Sequence, residues 1–307
     1  MKKTCSQLSS ECNEHLYGTA PRVDHWFLLE YPENWGKDVI KNNIIPDSVK
    51  QYLSGLLNSY ENSRIQFIKK NNIFDGYLDF YYAISSESDP KLYKFRLNNY
   101  EDLLDIDLQR LAEFGEIGNF ESDEKVVIVC THGTYDSCCG RYGVKVYNEI
   151  KDEESFSVWN STHVGAHRFA TNLVMLPEGI YYGRVDLNNI KNLLSSHMNY
   201  EIYLDCFRGR SCYSQVSQVS DYFLRKQINK TGIYDIRWEF EKDRDMYTSV
   251  EFGVDSEGLV YSVNSIVLND ALKIFTSCGD TEIKKIPQFY FYSLIPYVPK
   301  NKQVKEE

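Results

Sequence analysis

Residues 125–140 read Lys125-Val-Val-Ile-Val-Cys130-Thr-His-Gly-Thr-Tyr-Asp-Ser-Cys-Cys-Gly140. The first six are a short apolar run, the pattern of a strand buried on both faces. Residues 140–152 then fit a helix, and Phe156-Ser-Val-Trp159 starts another strand. Cys130 therefore ends a strand, and Cys139, nine positions on, stands where a helix begins. A helix N-terminus favours a thiolate through its free N–H groups and its dipole.

Downstream, residues 169–176 and 180–185 predict a hairpin about Pro177-Glu-Gly179, and residues 187–197 predict a closing helix. The order β-α-β then β-β-α is thioredoxin-like. The preceding stretch has the same grammar. His25-Trp-Phe-Leu-Leu-Glu-Tyr31 predicts a strand, and residues 37–62 are mostly helical, with a second helix opening after Pro46. Residues 64–69, 77–84 and 91–97 then read as strands, and 101–114 as a helix. The expected class is α/β, a tandem of two such units matched in pattern without a residue-level repeat. A small α+β module closes the chain, with a helix at 214–227 and strands near 238, 247–252, 260–267 and 289–295. The expected boundaries are 1–118, 119–200 and 201–307.

The second chemical stretch is Trp159-Asn-Ser-Thr-His-Val-Gly-Ala-His-Arg-Phe169. His163 and His167 are four apart, a spacing that puts both on one face of a helix, although Gly165 argues for a loop. Two thiols and two imidazoles suit zinc or an iron–sulfur centre. The bland alternative is a packed cysteine pair with two ordinary histidines, and spacing alone leaves that choice open. It also leaves open whether Cys138 or Cys139 is the ligand.

The net charge of −10 disfavours general nucleic-acid binding and docking on anionic lipid. No apolar stretch approaches membrane-spanning length. The start, Met1-Lys-Lys-Thr-Cys-Ser-Gln, lacks the apolar region of a secretory signal, so the expected location is cytoplasmic. There, eight cysteines (5, 12, 130, 138, 139, 206, 212 and 278) are expected to be thiols or metal ligands rather than disulfides. Cys5 and Cys12 are read as a redox pair, extra ligands or idle thiols. Cys206 and Cys212 flank Arg208-Gly-Arg210, a structural turn or an anion-receiving pair, with Cys278 a candidate neighbour. No Cys-x-x-Cys, phosphate loop or dinucleotide glycine fingerprint is present.

Taken together, these residues resemble the sucrase/ferredoxin-like family. The likeness runs through Cys130, His132, Gly133, Asp136, Cys139 and Gly140. It continues through His163, Gly165, His167, Arg168, Phe169, Ala170 and Asn172, and ends on Pro177, Gly179, Tyr182, Gly183 and Arg184. It implies a thioredoxin-like ferredoxin domain with a [2Fe–2S] cluster on Cys130, Cys139, His163 and His167. It also favours Cys139 over Cys138. One departure is Tyr135, where the family commonly has Arg; this bears on the surroundings of the cluster and not on its ligation. The implied role is one-electron transfer between unidentified redox proteins rather than stand-alone catalysis. No sugar-cleaving carboxylate pair supports a sucrase. Two neutral imidazoles in place of two thiolates raise the potential, and a histidine ligand can couple electron to proton. His132, Asp136 and Arg168 are candidates to hydrogen-bond around the ligands. The competing readings are a thiol–disulfide oxidoreductase using Cys138/Cys139 and a zinc-stabilised binding module.

Overall fold

The computed structural model describes residues 3–41, 44–70, 76–114 and 120–299. It contains a curled nine-stranded sheet and a separate four-stranded sheet.

The nine-stranded sheet is two similar halves joined edge to edge. In the first, β1 (His25–Glu30) runs parallel to β2 (Ser63–Lys69) through α2 (Asp47–Ser59), the helix that follows α1 (Cys5–Glu11). Strands β3 (Leu78–Ile84) and β4 (Lys91–Leu97) then add antiparallel on the other side of β1. The second half repeats this. Following α3 (Leu108–Phe114), β5 (Val126–Cys130) runs parallel to β6 (Ser157–Ser161) through α4 (Ser137–Ile150). Strands β7 (Leu173–Leu176) and β8 (Ile180–Tyr182) add antiparallel beside β5. After α5 (Ile190–Met198), β9 (Phe207–Arg210) closes that edge. A short antiparallel pairing of β2 with β6, Ile68 with Ser161 and Lys69 with Asn160, fuses the halves.

Period-two alternation sends each strand's residues to two different cores. Phe27, Leu29, Phe80 and Tyr82 pack beneath α2 through Val49 and Leu53. Val127, Val129, Leu173 and Met175 pack beneath α4 and α5 through Val146, Ile150 and Leu193. The opposite faces meet each other: Trp26, Leu28 and Tyr81 of the first half pack with Val126, Ile128, Cys130, Val174 and Tyr181 of the second. Burial on both faces explains why β5 reads as a continuous apolar run.

The second sheet is an antiparallel meander of β10 (Arg237–Asp243), β11 (Thr248–Val254), β12 (Leu259–Ile274) and β13 (Lys284–Tyr297). Val250, Phe252 and Val263 pack on Val219, Phe223 and Leu224 of α6 (Gln215–Ile228). The 16 residues of β12, at roughly 3.3 Å per residue, carry its far turn a long way from α6. That turn holds Cys278.

Several expected boundaries move. Residues 37–41 form turns and not helix; residues 42–43 lie outside the described residues. Pro46 restricts Ile45 to extended backbone, and α2 starts only after it. The expected helix at 101–114 splits into a 3-10 turn, Tyr100–Asp105, and α3. Ile106 is extended between them, and the Asp107 carboxylate accepts from Arg110 N at 3.0 Å to start the second segment. Residues 169–172 are not strand, because His167–Phe169 forms a 3-10 turn.

Candidate metal centre

Cys130 and Cys139 meet because glycines let α4 lie directly on the end of β5. A Cβ on Gly143 would fall 2.0 Å from the Cys130 carbonyl oxygen. A Cβ on Gly140 would fall 2.8 Å from the Cα of Gly133. Asp136 is the N-cap of α4, its Oδ1 accepting from Cys138 N at 2.9 Å.

The Sγ atoms of Cys130 and Cys139 and a ring nitrogen of His163 all lie within 4.8 Å of one another. His163 Nδ1 is 3.8 Å from the Cys130 sulfur and 3.6 Å from the Cys139 sulfur. His167 stands outside that trio, its ring centroid 5.2 Å from that of His163. Both its ring nitrogens are buried, with the Thr276 backbone beside the ring and Nε2 3.6 Å from Asp136 Oδ2. The hydrogen bond from Cys139, with His163 beside it, holds the Cys130 thiol well below its ordinary pKa against the effect of burial, and the Cys139 thiol is pushed up in turn. Burial holds His167 below the usual imidazole value, with Asp136 opposing.

Two of the three neighbouring candidates stand at the site. His132 is buried, with Nε2 2.9 Å from the Gly36 carbonyl oxygen. Its Nδ1 accepts from the backbone N–H of His163 at 3.3 Å. Those two partners fix the neutral tautomer carrying hydrogen on Nε2, and burial lowers its pKa accordingly. Asp136 faces His167. Arg168 turns away and pairs at 2.7 Å with Glu14, whose side chain is fully buried.

Cys138 points elsewhere. Its sulfur lies 3.5 Å from that of Cys5 and 3.3 Å from that of Cys278. The sequence suggested Cys278 near Cys206 and Cys212; the long β12–β13 hairpin carries it to Cys138 instead. Cys206 is buried in the core beneath α4 and α5, Cys212 packs beside α6, and Cys12 is exposed. The sequence reading also missed the packing of Tyr135, whose ring stacks on that of His163 at 4.2 Å. Its only signal was the departure from the family pattern.

Buried thiols and imidazoles converge at this strand–helix corner, and Cys130, Cys139 and His163 form a group that could hold a metal ion. The sucrase/ferredoxin-like family pattern matches residues 16–209, and the chain belongs to that family. It is similar to "Altered inheritance of mitochondria protein 32" of Meyerozyma guilliermondii, 28% identical over 97 residues. That match covers 28% of this chain and 34% of the Meyerozyma protein. No solved structure matches the chain. No helix among the described residues is long and apolar enough to cross a membrane.

Proposed function

We propose that the chain is an electron-transfer protein that holds a [2Fe–2S] cluster on Cys130, Cys139, His163 and His167, within a thioredoxin-like unit at residues 119–200. The observation that carries this reading is His167. Its buried imidazole lies beside two thiols and a second imidazole, with only the Asp136 carboxylate at 3.6 Å and the Thr276 backbone as polar neighbours, so one ring nitrogen is free to ligate. The donor set of two sulfurs and two nitrogens fits a cluster of raised potential. The two flanking parts, 1–118 and 201–307, enclose this unit in the same reading.

When bound, the cluster supplies one-electron transfer. The protein's residues do the rest. Cys130 and Cys139 would ligate as thiolates, the first already stabilised by its neighbours and the second giving up its proton on binding. His132 holds the His163 backbone, and so its ring, through the Nδ1 hydrogen bond. His163 and His167, ligating through one nitrogen, each keep the other for a proton, and Asp136 stands where it stabilises an imidazolium at His167. Tyr135, 43% exposed, is the solvent side of the site and the approach for a redox partner. The acidic charge of the chain suits a cationic one. The cytoplasm is the location that goes with this reading.

The sulfurs of Cys138 and Cys139 face different partners, which sets the vicinal pair apart from a dithiol acting on one substrate. Purified protein is expected to be brown, with about two irons and two acid-labile sulfides per chain. His163→Ala and His167→Ala bleach or shift the spectrum, and Cys138→Ala leaves it. A colourless protein with a zinc ion on Cys130, Cys139 and His163 overturns the proposal.

A further inference from the structure

We infer that Cys5, Cys138, Cys278 and Asp136 form a second metal site, separate from the cluster, that takes a single zinc ion. The three sulfurs make a closed triangle with sides of 3.5 Å (Cys5–Cys138), 3.3 Å (Cys138–Cys278) and 3.6 Å (Cys278–Cys5). A tetrahedral zinc with bonds of about 2.3 Å places its sulfurs roughly 3.8 Å apart. Each sulfur therefore reaches its position by moving a few tenths of an ångström, on the scale of those bond lengths. The fourth vertex is Asp136. Its Oδ1 lies 4.0 Å from the Cys5 sulfur, and the four donor atoms all fall within 4.8 Å of one another.

Packing alone explains this cluster poorly. Its apolar surroundings are small: Ala170, Tyr142 and the cysteines themselves. A buried carboxylate against three thiols is a poor apolar core but a good cation cage. The sulfurs are also well beyond the roughly 2.05 Å of a disulfide bond, and three of them leave one unpaired in any disulfide scheme. Soft thiolates with one carboxylate select zinc over magnesium or calcium.

The surroundings hold the carboxylate in place. Asp136 Oδ1 accepts from Cys138 N at 2.9 Å, and Oδ2 accepts from Cys278 N and from Ser277 Oγ, each at 3.1 Å. These bonds orient the ligand as outer partners do in zinc sites. Three thiolates, a carboxylate and Zn²⁺ sum to about two negative charges. They lie at the N-terminal end of the 14-residue α4, where the helix dipole favours negative charge. Binding displaces three thiol protons to solvent and moves no electrons.

The three cysteines come from three distant segments: α1, the start of α4, and the β12–β13 turn. A zinc ion there would tie the N-terminal helix and the second sheet to the helix that presents Cys139. It would also hold α1 over the His167 segment, where Ser6 Oγ already donates to the Ala170 carbonyl at 3.1 Å and Arg184 Nη2 to that of Ser9 at 3.1 Å.

The experiment is elemental analysis and zinc K-edge X-ray absorption on the full chain purified without chelator. The expected result is one zinc per chain, bound by three sulfurs at about 2.3 Å and one oxygen. The Cys5→Ser, Cys278→Ser double variant is expected to lose zinc more than tenfold while keeping wild-type iron, sulfide and visible spectrum. Should that variant not fold, the wild-type absorption spectrum still decides. Three outcomes overturn this inference alone. They are a fully loaded iron centre with no zinc, zinc retained by the double variant, and a zinc shell dominated by nitrogen and oxygen (an adventitious ion only). Zinc on Cys130, Cys139 and His163 would show two sulfurs and a nitrogen, and would count against this site and the cluster together. A zinc on three sulfurs in an iron-free protein would support this site and sink only the cluster.

Discussion

The ring of Tyr135 lies over the imidazole of His163, centroids 4.2 Å apart and planes 14° from parallel. The same ring is 5.7 Å from His132 and 6.2 Å from His167, so one exposed tyrosine covers three histidines. Removing it opens the site to water. Tyr135→Ala is expected to speed loss of visible absorbance under a chelator severalfold, and Tyr135→Phe to leave it near wild type. An aromatic pair of this kind contributes about 0.5–1.5 kcal/mol. Equal bleaching rates in the Ala variant and wild type would show that the stacking does not shield the centre.

Gly143 allows the approach that brings Cys130 to Cys139. A methyl group there would meet the Cys130 carbonyl oxygen at 2.0 Å, and backbone oxygen cannot swing aside as a side chain can. Gly143→Ala must push α4 off β5. The expected cost is at the upper end for overpacking, about 3 kcal/mol or more. Denaturant unfolding of the metal-free chain measures it, and iron content should fall in parallel. A variant of unchanged stability would mean the helix can shift without loss.

How much of this was legible in the chain follows from the range of each signal. Strand β5 and helix α4 carry local marks: an apolar run, then Asp136 as a cap and cysteines at the first turn. Both elements lie within a few residues of where those marks put them. Residues 37–41 read as helix and instead form turns, because Pro46 holds Ile45 extended and α2 starts only after it. Residues 169–172 looked like strand from composition, but Ala166, with φ of 54°, turns the chain there. The pairing of β2 with β6 and the meeting of Cys5, Cys138 and Cys278 bridge separations of over ninety residues. No local pattern encodes contacts of that kind. The family pattern pointed to four ligands together; it could not show that His167 would stand apart from the other three.

Acid should destabilise the metal-free protein through histidines far from the centre. His25 and His197 have folded pKa values held below the ordinary 6.5, in both cases by burial first. Asp24 opposes the shift at His25; Glu178 opposes it at His197, where Lys125 reinforces it. The unfolded chain therefore binds protons that the folded chain refuses. Their stabilising contribution is complete above about pH 6.5 and is lost as the pH falls below it, toward the depressed folded values. Each group changes the slope by at most about 1.4 kcal/mol per pH unit. Urea midpoints of the apoprotein between pH 8 and 5 should fall, and the His25→Gln, His197→Gln double variant should fall less steeply. Midpoints independent of pH would rule out neutral burial of these imidazoles.

Replacing His167 by cysteine tests the point of having histidine there. The variant adds about one negative charge to the ligand set, which makes an electron harder to accept. It also removes a ring nitrogen able to hold a proton beside Asp136. The midpoint potential of His167→Cys should drop, on the order of 100 mV or more given the gap between two-histidine and all-cysteine centres. Its dependence on pH should weaken in the same variant, while His132→Gln, which keeps all four proposed ligands, should retain it. Asp136 adds a sign that can be read separately. Asp136→Asn removes the carboxylate 3.6 Å from His167 Nε2, so the imidazolium is less stable and the pH-dependent region moves to lower pH. Because Asp136 is also the fourth vertex of the inferred zinc site, this shift is read against the Cys5→Ser, Cys278→Ser variant, which loses zinc and keeps the carboxylate. Potentiometric titration of the three variants and wild type between about pH 6 and 9 separates these effects. If the wild-type potential is flat across that range, electron transfer at this centre is not tied to a proton, and the histidines act on the potential through charge alone.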